Sequence, residues 1–91
     1  MAHILTDTEA LNALRRISDE VPNLELLLSG VDDDIMTATE HDWTADAMID
    51  PTAKLAASLL LIAMFEGNEP PSYYDRQIGK LDGKVANCEV S

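Results

Sequence analysis

The sequence predicts an all-α fold, a small bundle of four to five helices packed around one nearly all-apolar central helix at about residues 51–66. Two observations carry this. The stretch from Asp50 to Gly67 is apolar almost all round and bears cap residues at both ends, the mark of a buried helix rather than a surface one. Ahead of it, Leu11, Leu14, Ile17 and Val21 recur three or four residues apart, with Ala10 and Ala13 beside them, the spacing of one helical face. At 91 residues, the whole chain 1–91 is expected to form one helical domain with a single thin core.

The first helix opens at Thr6-Asp7-Thr8-Glu9. Thr6 as N-cap with Glu9 three residues on makes a capping box, in which each side chain bonds the other's backbone N–H. Pro22 disfavours helix just before it, so this helix is expected to end near Glu20. A short second helix is expected from Leu24 to Ser29, with Leu24, Leu27 and Leu28 on one side and Gly30 as its stop. Asp32-Asp33-Asp34 reads as the cap of a further helix from Ile35 to about Glu40. Asp42 reads as the cap of another, reaching Ile49, with Trp43 and Ala47 inward.

The central helix follows. Asp50 is placed to accept backbone N–H groups of the first turn. Pro51 sits at the first helical position, where a missing N–H costs nothing. Gly67 closes the helix by taking a left-handed conformation. Leu55, Leu59, Leu60, Leu61, Ile62, Met64 and Phe65 lie between the caps, and each contributes about 1.5–3 kcal/mol when fully buried. The apolar run is eleven residues, from Leu55 to Phe65, where a membrane span needs about twenty. Residues 67–72 read as a loop, by Gly67, Pro70 and Pro71. Tyr74, Ile78 and Leu81 predict a last amphipathic helix over Tyr73 to Leu81, followed by an Asp82-Gly83 turn and a mobile tail from about residue 83.

Six Lys and Arg against 17 Asp and Glu give a net charge of −11. Such a chain repels nucleic acid and anionic membrane, so direct binding to either is not expected. The asymmetry is local as well. From Ile17 to Ala53 there are ten acids (Asp19, Glu20, Glu25, Asp32, Asp33, Asp34, Glu40, Asp42, Asp46 and Asp50) and no Lys or Arg. These acids read either as helix caps on a solvated face or as a negative surface that docks on a basic partner. Spread along a helix at about 1.5 Å per residue, they fall one per about 5–6 Å, well below duplex DNA at about one charge per 1.7 Å. Imitation of DNA would therefore need two helices to share a face.

Other chemistry finds little support. The Asp32 to Asp34 run has neither the alternate spacing nor the glycine and distal glutamate of a calcium loop. His41 and His3 make no zinc pattern. Ser58 lies in the apolar run, where its hydroxyl is expected to bond a carbonyl one turn back. There is no nucleophile elbow or phosphate-binding loop, so neither catalysis nor a cofactor is expected. The lone Cys88 cannot form an internal disulfide. With no basic, apolar leader at Met1 to Asp7, it points to a cytoplasmic, reducing location.

The reading that results is a non-catalytic module whose acidic face occludes a basic, nucleic-acid-binding surface on a larger protein. Its expected contact residues are Asp32, Asp33, Asp34, Glu40, Asp42, Trp43 and Asp46. Trp43 is chosen as an aromatic anchor in the acidic segment, against the alternative that it fills the core. In size and charge the chain is similar to phage-encoded inhibitors of host nucleases and defence systems, such as anti-CRISPR and DNA-mimic proteins, a similarity that covers no motif. The rival reading is a homodimeric assembly or adaptor subunit that buries the apolar helix between two copies.

Overall fold

The computed structural model describes residues 3–45 and 48–90, apart from the side chains of residues 18, 45 and 85–90. Among the described residues there are four α-helices and no strand. They are α1 (Asp7–Leu14), α2 (Leu24–Thr39), α3 (Pro51–Glu66) and α4 (Ser72–Val90), with single 3₁₀ turns at Ser18–Glu20 and Trp43–Ala45. The radius of gyration, 12.9 Å, is close to the roughly 12 Å of a compact chain of this length. Among the described residues no helix is long and apolar enough to cross a membrane.

The predicted caps form at two helix starts. Thr6 Oγ1 accepts the Glu9 N–H at 3.1 Å and Glu9 Oε1 accepts the Thr6 N–H at 3.0 Å. Asp50 Oδ1 accepts the Thr52 N–H at 2.7 Å, with Pro51 opening α3. At the far end Gly67 takes φ 74°. The Asn68 N–H then reaches the Ala63 carbonyl and the Gly67 N–H that of Met64, the two bonds of a Schellman close. α3 packs against each of α1, α2 and α4, and α2 also packs on α4. Leu60, Leu61 and the alanines 53, 56, 57 and 63 of α3 are buried, and Leu55 is 38% exposed. The Ser58 hydroxyl donates to the Lys54 carbonyl at 2.9 Å, as expected. Lys54 ties α3 to α1 through both oxygens of Glu9, and Lys84 ties α4 to α3 through Asp50.

Three expected boundaries are corrected. α1 stops at Leu14, not near Glu20, because Arg15 turns the chain with φ 57°, and Ile17 is left 64% exposed. The predicted break at Gly30 is absent: the segments 24–29 and 35–40 are one helix, with Asp32 to Asp34 in its middle. Leu28, Val31 and Ile35 bury one continuous face across the glycine. That packing outweighs the roughly 1 kcal/mol that glycine costs a helix. The missing side chain also makes room for α3, since a Cβ at Gly30 would lie 2.9 Å from Met64 Cε. Lastly, α4 continues as helix to Val90, where a turn and tail are predicted. Leu81 is fully buried and Lys84 reaches Asp50, so contacts hold the helix across Gly83.

Those α4 glycines give a stability prediction. A Cβ at Gly79 or Gly83 would meet nothing within 4 Å. Gly79→Ala and Gly83→Ala should each raise the unfolding free energy by about 0.8–1 kcal/mol. Urea midpoints measure it, and a loss of stability would show that α4 is not helical there.

Candidate protein-docking site

Successive residues of a helix point about 100° apart, so Asp32, Asp33 and Asp34 cannot share a face of α2. Asp32 turns inward. Its side chain is 13% exposed. Its Oδ1 accepts the Ile4 N–H at 3.1 Å, and its Oδ2 pairs with His3 Nδ1 at 2.5 Å. Asp33 points to solvent. Asp34 is exposed on the flank towards α4, where burial first, then the charges of Asp34 and Asp75, push the Tyr74 phenol up. The expectation that Asp32 is a contact residue therefore gives way to an internal role. It anchors the segment that carries Ile4 and Leu5, both buried.

His3 is the other half of that anchor. Nδ1 meets Asp32 and Nε2 meets Glu25 Oε1 at 2.8 Å, and the ring is 5% exposed. Glu25 and Asp32 stand seven residues apart, two turns along one side of α2. A neutral imidazole has one N–H, so two carboxylate partners call for the cation. Burial lowers the His3 pKa, but bonds to Asp32 and Glu25 and their charges outweigh it and leave it raised above 6.5. The folded state thus binds the proton more tightly than the unfolded chain. The stabilisation is complete below about pH 6.5 and is lost as pH rises through the folded value. Thermal melts should show the wild type exceeding His3→Gln by more at pH 6 than at pH 8. An equal margin at both would exclude the charged bridge.

The segment after α2 holds the remaining predicted contacts. Trp43 is 5% exposed and belongs to the core, which corrects its expected role as an exposed anchor. Its Nε1 donates to Thr39 Oγ1 at 2.9 Å, and that hydroxyl donates to the Ile35 carbonyl at 2.7 Å. The indole polar atom is thereby satisfied inside. The His41 ring stands edge-on to the indole, with centroids 4.5 Å apart. Asp42 is exposed, and its Oδ1 accepts both the Thr44 N–H and hydroxyl, a cap on one 3₁₀ turn and not on a helix to Ile49. Asp46 lies outside the described residues, as does Ala47. Glu40 is exposed and ends α2 at φ 56°.

What the structure brings together is a narrower surface than the seven predicted residues. Leu26, Asp33 and Thr37 are all exposed and lie along the outward side of α2, at spacings of seven and four that keep to one stripe, and the exposed Glu40 caps the end of that helix. Asp34 is exposed at the position next to Asp33, and Asp42 is exposed beyond the end of the helix. Leu26, 75% exposed, is the member the sequence reading missed. Its signal was present: Leu26, Leu27 and Leu28 are consecutive, so they cannot all face the core. Elsewhere, Arg15, Arg16, Ile62 and Phe65 help line a surface groove of about 340 Å³ between α1 and α3, with the Arg16 guanidinium 5.8 Å from the Phe65 ring centroid. Among the described residues no three His, Cys, Asp or Glu side chains are grouped to hold a metal ion. Comparison with known proteins gives no match: no family model, no curated protein and no solved structure is similar to this chain.

Proposed function

We propose that this protein is a non-catalytic binding module, organised around α3, that uses the outward stripe of α2 to dock on and occlude a basic surface of a larger protein. One observation carries the reading. Asp33 stands exposed in line with an exposed leucine at position 26, two helical turns away, and a second exposed acid, Glu40, caps the end of the same helix. Charge would steer the encounter, and the leucine would supply apolar contact at the seated face. The acids on this stripe are far sparser than duplex phosphates, so the proposal rests on complementarity of charge and not on imitation of DNA. By size and charge, the protein fits the role of an inhibitor whose partner is a nucleic-acid-binding host defence enzyme. The lone cysteine, which can form no internal disulfide, supports action in a reducing compartment such as the cytoplasm.

Affinity capture from the native host's lysate tests this with two baits, wild type and Asp33→Lys with Glu40→Lys. The wild type should retain a partner that leaves above about 0.5 M salt, where exposed charges are screened. The variant should bind it about tenfold more weakly through a slower on-rate, with its thermal midpoint within a few degrees of wild type. Equal capture by both baits, or retention indifferent to salt, would dismiss the α2 stripe as the docking face.

A further inference from the structure

α4 exposes the acids Asp75 and Asp82, but its bases gather on a stripe of their own. Tyr73, Arg76 and Lys80 are exposed at spacings of three and four, which put them on one stripe. Neither Arg76 nor Lys80 makes an ion pair among the described residues, whereas Lys54 and Lys84 are engaged by Glu9 and Asp50. Tyr73 is 48% exposed. Arg15 and Arg16 likewise make no ion pair among the described residues, but only Arg76 and Lys80 line up with an exposed tyrosine over two turns of one helix. In a chain of net charge −11, such a stripe is complementary to an acidic one.

The counterpart is present in the same chain. On α2, the exposed Leu26 and Asp33 stand seven residues apart, and on α4, Tyr73 and Lys80 stand seven apart. Laid side by side in parallel, the two stripes match an apolar side chain with a ring and a carboxylate with an ammonium, with Arg76 one turn from the charged pair. We infer that this protein associates with itself head to tail, the α4 stripe of one copy seating on the α2 stripe of the next. Because the two faces differ, the contact is heterologous, and it builds rings or chains when repeated. The net charge of each copy opposes approach at low salt. At physiological ionic strength the screening length is about 8 Å, and the short-range match decides. Self-association covers Asp33, so it competes with docking of a third protein on α2, but it requires no third protein and stands or falls separately.

Charge exchange tests the contact. Sedimentation at about 0.15 M salt and submillimolar protein should show wild type heavier than one chain. Asp33→Lys and Lys80→Glu, each alone, should sediment as monomers, since each sets like charges face to face. An equal mixture of the two variants should regain the wild-type mass, because Lys at 33 then meets Glu at 80 and Asp33 meets Lys80. Far-UV circular dichroism checks that each variant is folded. Lys80→Glu should capture the lysate partner as wild type does, and Asp33→Lys should capture it more weakly, so failure of one proposal is distinguishable from failure of the other. A monomeric wild type, single variants that still associate, or a mixture that stays monomeric would each overturn the inference. So would a single-stranded oligonucleotide that binds wild type, loses binding in Lys80→Glu, and leaves the mass unchanged throughout.

Discussion

Trp43→Ala should destabilise the fold by about 3–5 kcal/mol, the range for removing a buried large aromatic. The indole is 5% exposed within the main core, so its loss opens a cavity that neighbours fill only in part. It also removes the donor that Thr39 Oγ1 accepts at 2.9 Å. Thr39 is itself 3% exposed and would keep one lone pair without a partner, which adds to the cost. Trp43→Phe separates the two effects. It retains most of the apolar volume and loses the N–H, and should cost about 1–3 kcal/mol. A surface contact residue would behave otherwise, with either change within about 0.5 kcal/mol. Urea unfolding followed by circular dichroism reads all three cases. Against a total of about 5–15 kcal/mol for a native domain, the alanine variant should be close to unfolding at ambient temperature.

Leu61→Ala should cost about 2–5 kcal/mol by the same cavity mechanism, with Leu55→Ala as its control on the same helix. Leu61 is 0% exposed, and Leu55 is 38% exposed. The two side chains have the same chemistry and differ in how far water already reaches them, so the control should lose about 1 kcal/mol or less. Leu61 lies on the helix that touches α1, α2 and α4, so a cavity there weakens more than one helix contact. Equal losses at both positions would mean that α3 is buried on all sides, as its nearly all-apolar sequence taken alone predicts.

The parts of the fold legible in the sequence were those decided by local chemistry. The Thr6–Glu9 box, the Asp50-Pro51 start and the Gly67 close depend on neighbouring backbone groups, and each formed as read. The misread parts were decided by distant contacts. Gly30 has the local look of a stop, but Leu28, Val31 and Ile35 continue one buried face across it, and Met64 fills the space beside it. Gly83 is overridden in the same way by Leu81 and Lys84. At the site, charge pattern alone could not say which acids were already employed. Asp32 is bound by His3 and the Ile4 N–H, partners nearly thirty residues away. The helical period, applied through Gly30, would have turned Asp33 outward and separated it from its two neighbours.

The claim that the outward side of α2 is the docking face is tested most directly by site-specific photo-crosslinking in the native host's lysate. A benzophenone side chain replaces Leu26 in one sample and Asn12 in another, since Asn12 is exposed on α1, away from the stripe. Position 26 should yield an adduct with a larger protein, together with an adduct of two copies of this chain where self-association occurs, and position 12 should yield neither. An adduct from position 12 with none from position 26 would contradict the account, because the partner would then be seated on a different surface.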